Sequence, residues 1–110
     1  MVKTLKIDCD WLPPLEWIKD YTALMFKIVH CAVPEVHVTK VRAIKSKHHN
    51  LHFVVTLDKH VDDMTACRLQ FLLGDDRHRC RYNLARVEIG MINGEWNKLF
   101  IKSKTREVLI

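Results

Sequence analysis

Two aspartates, Asp8 and Asp10, stand one residue apart in the segment KIDCDWLPP, residues 6–14, at the end of an apolar alternation. Side chains alternate between the two faces of a β-strand, so both carboxylates are expected on one face. Two like charges at this spacing repel unless a positive charge lies between them. A divalent cation such as Mg²⁺ or Mn²⁺ accepts oxygen ligands and keeps positions open for phosphate oxygens. The pair therefore predicts a metal site suited to phosphoryl or nucleotidyl transfer.

The same pair also has an interpretation that involves no metal. A D-x-D pair is common at a solvated strand end, and Asp10 is placed to cap a helix that begins near Pro13 and Pro14. The sequence leaves both interpretations open.

A histidine and a basic segment would complement such a metal site. His52 lies in the alternating segment LHFVVTLD, residues 51–58, on the face opposite Phe53 and Val55. Basic side chains concentrate between positions 77 and 86, and guanidinium groups bind phosphate through forked hydrogen bonds. A solvated basic face is the competing explanation. The predicted phosphate or nucleic-acid contacts in this segment are Arg77, Arg79, Arg81 and Asn83.

The composition is that of one folded, basic domain spanning residues 1–110. Hydrophobic residues make up 48% and charged residues 28%, which excludes a disordered chain. The net charge of +5 favours a polyanionic partner, either a nucleotide or single-stranded nucleic acid. No apolar run approaches the roughly 20 residues of a membrane span, and the first ten residues lack the apolar run of a signal peptide. We therefore expect a cytoplasmic protein without a membrane partner, and the sequence leaves open which proteins it binds.

The four cysteines are widely spaced and form no C-x-x-C motif, which argues against a zinc ribbon or a redox motif. Cys9, Cys67 and Cys80 fall at positions predicted to be buried, where reduced thiols are usual. A zinc site would need four residues whose spacing matches no standard pattern: His30, Cys31, His78 and Cys80.

The elements that must position these residues follow from periodicity. Residues 4–9 alternate as a first strand, and a helix with apolar residues at helical spacing runs from the prolines to Cys31. Residues 36–45 and 51–58 predict a hairpin, with a bulge where the first alternation slips phase. A second helix follows Asp62 or Asp63 and ends at Gly74.

The segment 77–88 is compatible with two structures. Alternation through Cys80, Tyr82 and Leu84 indicates a strand, whereas the spacing of Leu84 and Val87 permits a helix. A last strand is predicted in LFIKS, residues 99–103.

The resulting order, β-α-β-β-α-β, is that of an α+β fold of the ferredoxin-like or RRM-like type, an antiparallel sheet with two helices on one face. The usual strand order, 4-1-3-2, places the end of the first strand beside the start of the third. We therefore expect Asp8, Asp10 and His52 together on the open sheet face. If residues 79–84 form the fourth strand, that face also holds Arg79, Arg81 and Asn83.

These motifs resemble the catalytic core of the archaeo-eukaryotic primases and primase-polymerases over about residues 5–103. The resemblance is carried by IDCD, by SKHHNLH with Ser46 and His52, and by RCRYNLAR with Asn83. The segment LLGDDRHRCRYNLAR is also similar to small primase-like proteins of archaea and mobile genetic elements. The resemblance implies a primase-like protein acting in DNA replication or repair.

In that family the first two acids bind divalent metal, the histidine contacts nucleotide phosphates, and a third acid completes the metal site. The resemblance thus implies catalytic roles for Asp8, Asp10 and His52, with the two acids as metal ligands, and nucleotide contacts for Ser46 and His52. Asn83 stands where a carboxylate is expected, and an amide oxygen binds a hard cation without adding charge. The family's glycines between serine and histidine are replaced by residues 47–50. The resemblance therefore implies metal-dependent nucleotide binding. The two departures imply that the nucleotidyltransferase activity is degenerate.

Two other functions fit the same residues. One is a non-catalytic module that binds single-stranded nucleic acid or a replication partner with the basic open face, with Tyr82, Trp11 and Trp96 as candidate stacking groups. The other is a rolling-circle nuclease, which needs a His-hydrophobic-His pair that HFV lacks.

Overall fold

The computed structural model describes residues 1–46, 50–97 and 107–109. These residues form an α+β structure with an antiparallel sheet and three helices. None of the helices in this part of the chain is long and apolar enough to cross a membrane. The elements in chain order are β1 (Val2–Cys9), α1 (Leu15–Ala32), β2 (Val38–Lys45), β3 (Leu51–Val61), α2 (Asp63–Leu72), α3 (Arg77–Glu88) and β4 (Glu107–Val108).

The sheet has the order β1-β3-β2-β4, and every neighbouring pair is antiparallel. β3 lies between the two other long strands, while the two-residue β4 pairs with the end of β2 at Ile44 and Lys45. The register of β2 against β3 shifts between Val38 and Lys40. This irregularity confirms the bulge that the phase slip in the sequence predicts.

One face of the sheet carries the hydrophobic core. Leu5 and Ile7 of β1 and Phe53 and Val55 of β3 are buried there, as their alternation predicts. Both α1 and α2 contribute to the same cluster, and so does Trp96, which follows α3. The largest fully buried members are Trp96, Leu5, Ile7, Ile18, Met25, Leu51, Leu57, Leu69 and Leu73.

The two predicted caps of α2 have different roles. Asp62 is the N-cap, and its carboxylate accepts from the backbone N–H of Thr65 at 2.7 Å. Asp63 instead accepts from Trp96 Nε1 at 2.8 Å and from the backbone N–H of Gly94 at 2.9 Å. Asp63 therefore fixes the turn that brings Trp96 into the core.

Residues 77–88 form the helix α3, which is one of the two structures compatible with the sequence, and the alternative strand at 79–84 is not formed. Asp76 caps this helix by accepting from the backbone N–H of His78, and the segment 77–86 contains no β-branched residue. The cap and the absence of β-branched residues favour a helix over the weaker alternation signal. The short β4 pairs with β2 and not with β1. The predicted strand at 99–103 lies outside the described residues.

Side chains satisfy the outer edge of β1. Gln70 Oε1 accepts from the backbone N–H of Lys6 at 2.9 Å and from Asn97 Nδ2 at 2.7 Å. Asn97 Nδ2 also lies 3.4 Å from the carbonyl oxygen of Thr4. Gln70 and Asn97 are both buried, so this edge is sealed by polar groups that solvent does not reach.

Candidate metal centre

Asp8 and His52 are direct partners across β1 and β3. His52 Nε2 lies 3.2 Å from Asp8 Oδ1, which is ion-pair distance, although the contact does not have hydrogen-bond geometry. His52 is only 5% exposed, and its Nδ1 has no hydrogen-bond partner among the described residues. The structure thus brings together the acid and the histidine that the strand alternation placed on one face.

Three carboxylates form the acidic cluster, which we define as Asp8, Asp10 and Asp76. One oxygen of each lies within 4.8 Å of the others. Asp8 is on β1, Asp10 follows its end, and Asp76 is the N-cap of α3. Asp10 is exposed and the other two are half-buried, so solvent reaches the cluster from one side.

Asp76 is the site residue that the sequence analysis missed. The third acid was expected near Asn83, after the second helix, on the assumption that this segment was a strand. The available signal was the tandem pair Asp75-Asp76 immediately after Gly74, at the end of α2. That pattern also marks an ordinary helix stop followed by a cap, so it did not by itself predict a ligand.

Asp75 anchors the turn that carries Asp76. Its Oδ1 accepts from the backbone N–H of Asp8 at 2.7 Å, and Arg79 Nη1 lies 2.6 and 2.8 Å from its two oxygens. Burial raises the pKa of Asp75, and the hydrogen bond from Asp8 and the charge of Arg79 oppose that rise. Arg79 Nη1 also donates to the carbonyl of Lys6 at 3.1 Å. The turn between α2 and α3 is therefore bound to β1.

The backbone completes this connection. The N–H of Asp76 donates to the carbonyl of Asp8 at 3.0 Å. Asp76 Oδ1 accepts a hydrogen bond from the backbone N–H of His78 at 3.2 Å. Its cap role uses one oxygen, which leaves coordination capacity on the carboxylate.

A fourth strand at 79–84 would place Arg79, Arg81 and Asn83 on the sheet face, but this segment is helical and they do not lie there. Arg77 and Arg81 are exposed on α3, and Arg79 points inward to Asp75. Asn83 is 2% exposed, and its Oδ1 lies 3.4 Å from Arg86 Nη1. These positions follow directly from the helical conformation, which the strand interpretation did not anticipate.

Ser46 has a local role in the hairpin. Its Oγ accepts from the backbone N–H of Asn50 at 3.1 Å, and its own N–H donates to the Asn50 carbonyl at 2.8 Å. These bonds close the turn between β2 and β3. Residues 47–49 lie outside the described residues.

The sheet face opposite the helices is not open along its whole length, which corrects the expectation of a free face. Ile44 and His52 are partners in the sheet, and they are 2% and 5% exposed. Lys6, which shares this face, donates from Nζ to the carbonyl of Asn97 at 3.1 Å. The backbone of Asn97 therefore lies beside β1 on the sheet face opposite the helices.

The cysteines form no disulfide in the described residues. Cys67 is buried, Cys9 and Cys80 are half-buried and Cys31 is exposed. Burial raises the pKa of Cys67 and of Cys80 to about 11, so both stay protonated at neutral pH. The acidic cluster is the only group of three or more His, Cys, Asp or Glu side chains in the described part of the chain with metal-ligand spacing. The hypothetical zinc set is therefore not assembled.

The spacing of the acidic cluster suits a hard cation. Mg²⁺ and Ca²⁺ bind oxygen at about 2.0–2.6 Å, so ligands on opposite sides of one ion are about 4–5 Å apart. The three oxygens lie within 4.8 Å of one another. A bound cation would offset the mutual repulsion of the carboxylates and would leave positions for phosphate oxygens.

No protein-family model, no curated protein and no solved structure matches the chain. The geometry of the described residues is therefore the basis for assigning a function.

Proposed function

We propose that the protein is a primase-like, metal-dependent nucleotide-binding protein. Asp8, Asp10 and Asp76 bind Mg²⁺ or Mn²⁺, and the phosphates of a nucleotide complete the coordination of the ion. The observation that carries the proposal is the approach of three carboxylates to within 4.8 Å of one another beside a buried histidine.

His52 is the second support for the site. Buried polar atoms are nearly always hydrogen-bonded, and an unsatisfied one calls for an explanation such as a bound ion. Asp8 Oδ1 and His52 Nδ1 are both buried without a hydrogen-bond partner among the described residues. A cation bound by Asp8 would satisfy that oxygen, and His52 Nε2 would then orient the ligating carboxylate from behind.

The fold supports the same proposal. The adjacency β1-β3-β2, with α1 and α2 contributing to one core, is the arrangement that a ferredoxin-like or RRM-like βαββαβ chain has in its first five elements. In this proposal α3 is an addition to that core. Asp76 then takes the role expected of the third acid, in place of Asn83, and a capacity for nucleotidyl transfer in replication or repair follows.

The test is calorimetric titration of Mn²⁺, with and without a nucleoside triphosphate, into the wild type and the Asp8→Asn/Asp10→Asn variant. We expect binding by the wild type and a loss of at least about tenfold in the variant. Equal Mn²⁺ binding by both proteins would contradict the proposal.

The matched control is Glu16→Gln/Asp20→Asn. It removes the same charge from two exposed acids of α1, so it separates ligation from a change in overall charge. We expect this control to bind Mn²⁺ as the wild type does.

A second candidate function is the binding of single-stranded nucleic acid by the outer face of α2 and α3. Arg68, Arg77 and Arg81 surround a groove of about 350 Å³, and no described residue pairs with any of the three. Phe71 lines this groove and is 65% exposed, and Tyr82, which lies beside Arg81 in an adjacent depression, is 64% exposed. Unpaired arginines flanking exposed aromatic rings favour phosphate contacts combined with base stacking. This helical face replaces the sheet face that the sequence suggested.

Anisotropy of a labelled oligonucleotide across a salt series tests this second function. We expect Arg77→Ala/Arg81→Ala to weaken binding and to reduce the slope of log K against log salt concentration by about 1.4, since each single-strand phosphate contact contributes about 0.7. Lys19→Ala/Lys27→Ala, on the exposed side of α1, is the charge-matched control. An unchanged slope in the arginine variant would exclude this surface.

A further inference from the structure

An apolar cavity of about 300 Å³ lies between the end of β1, the start of β3 and the first turns of α1. Its floor consists of buried side chains that include Ile7, Ile18 and Phe53. Its mouth is formed by Trp11 and Trp17, which are 56% and 58% exposed. Small-molecule sites are cavities of about 300–1,000 Å³ with mostly apolar and aromatic walls, and this cavity matches that description.

The two tryptophans are arranged at right angles. Their ring centroids are 6.1 Å apart with an interplanar angle of 79°. This edge-to-face contact leaves much of both indoles accessible to solvent. Burial of either ring against a ligand would be energetically favourable. Two exposed tryptophans at the mouth of an apolar cavity are therefore available to stack on a planar ligand.

The cavity adjoins the acidic cluster. Cys9 and Trp11 line it, and they alternate along the chain with Asp8 and Asp10 of the cluster. Gly74 also lines it, two residues before Asp76. The end of β1 and the α2–α3 turn thus border both the cavity and the acidic cluster.

We infer that this cavity binds the aromatic base of a nucleotide whose phosphates are held by the metal at the acidic cluster. The inference rests on the proposed function. The ligand would pass around the exposed end of β1, where Asp10 and Trp11 are adjacent, with its base on the tryptophan side and its phosphates on the carboxylate side.

The cavity wall offers two polar groups to a base, the thiol of Cys9 and the hydroxyl of Tyr21. Tyr21 packs against Phe53 with ring centroids 5.4 Å apart, and no described residue hydrogen-bonds to its hydroxyl. A Cβ atom at Gly74 would lie 2.6 Å from Tyr21 Oη, so the hydroxyl comes close to the backbone of the turn that carries Asp76. An apolar cavity with few polar groups fixes the orientation of a planar heterocycle.

The experiment compares three ligands by calorimetry: Mn²⁺ alone, tripolyphosphate with Mn²⁺, and ATP with Mn²⁺. The variant is Trp17→Ala, and the control is Phe26→Ala, which removes an exposed ring from α1 that lines neither the cavity nor the acidic cluster. Base stacking on an aromatic side chain contributes about 1–3 kcal/mol, which corresponds to about 5- to 150-fold in affinity. We expect Trp17→Ala to weaken ATP binding within this range and to leave Mn²⁺ and tripolyphosphate binding unchanged. Trp17→Phe, which keeps a ring, should retain most of the ATP affinity.

The outcomes separate this inference from the proposed function. If Mn²⁺ and tripolyphosphate bind but Trp17→Ala and Phe26→Ala have the same ATP affinity as the wild type, the base pocket is wrong and the metal site stands. A fluorescence titration with adenosine alone covers the opposite case. If Mn²⁺ does not bind, while adenosine quenches the tryptophan fluorescence of the wild type and of Phe26→Ala but not of Trp17→Ala, the pocket stands and the metal site is wrong. Absence of all binding overturns both.

Discussion

The carboxylate of Asp75 accepts a hydrogen bond from the backbone N–H of Asp8 at 2.7 Å. The α2–α3 turn is thereby joined to β1 at the residue that contributes a candidate metal ligand. Asp75 itself is fully buried against Arg79, whereas the adjacent Asp76 faces Asp8 and Asp10. Adjacent acids therefore have separate roles, one in the structure of the turn and one in the acidic cluster.

Asp75→Asn should destabilise the protein strongly. Breaking a buried ion pair by removing one partner costs about 3–5 kcal/mol, and Arg79 would remain largely buried, at 15% side-chain exposure. Asp76→Asn should leave stability almost unchanged, since asparagine caps a helix as well as aspartate does, yet it should weaken Mn²⁺ binding about tenfold or more. Urea unfolding and calorimetry on both variants measure the two effects. Equal stability of the two variants would contradict the division of roles.

Asn83→Asp should not increase metal affinity. Asn83 is buried in α3 beside Arg86, and its side chain is not part of the assembled carboxylate site. The new carboxylate would be desolvated, so we expect a loss of stability and unchanged Mn²⁺ binding. A gain in Mn²⁺ affinity would show that Asn83 occupies the third ligand position after all.

The free energy of unfolding should fall in acid because the carboxylate of Asp63 becomes protonated. Burial raises the pKa of this carboxyl, but hydrogen bonds from Trp96 Nε1 and from the backbone of Gly94 and Asn93 outweigh burial, so the net pKa is lowered. A lowered folded-state pKa gives stability that is present above the unfolded value, about 3.9, and that is lost as the pH falls through the folded value. Asp63→Asn should therefore be less stable than the wild type at pH 7, with the difference shrinking below about pH 4.

Urea midpoints across this pH range measure the effect of Asp63. Asp62→Asn is the control, because Asp62 acts as the cap of α2 and asparagine preserves that role. A difference between Asp63→Asn and the wild type that stays constant with pH would refute the linkage.

Gly74→Ala should cost more stability than Gly90→Ala. Both glycines have positive φ, 86° and 99°, so alanine is strained at either position. At Gly74 a Cβ would also lie 2.6 Å from Tyr21 Oη, whereas at Gly90 no atom lies within 4 Å. We expect Gly90→Ala to lower the free energy of unfolding by about 1 kcal/mol through backbone conformation alone. Gly74→Ala should lower it further, and thermal unfolding measures both losses. Equal losses would mean that Tyr21 moves aside freely.

Strand alternation was sufficient to predict the β1–β3 half of the candidate site. Asp8 and His52 had to share a face once Ile7 and Phe53 were assigned to the core, and the structure makes them direct partners. Periodicity along a whole strand is a strong signal because burial enforces it from one end to the other.

The other half of the candidate site could not be obtained in this way. Asp76 reaches the acidic cluster because Asp75 and Arg79 bind the α2–α3 turn to the edge of β1, and such contacts leave no local pattern. The sequence of residues 77–88 is compatible with a strand or a helix because it contains few apolar residues. The Asp76 cap and the α2–α3 turn favour the helix. The site thus depends on long-range hydrogen bonds that no short window contains.

The polar seal along β1 also limits how molecules of this protein can associate. Between Thr4 and Asp8 the outward backbone groups are occupied by side chains of Gln70, Asp75 and Asn97 and by the N–H of Asp76. A strand from another chain would have to displace these buried groups before it could pair there. Sheet extension by strand addition, the usual route to cross-β aggregation, is therefore blocked at this edge.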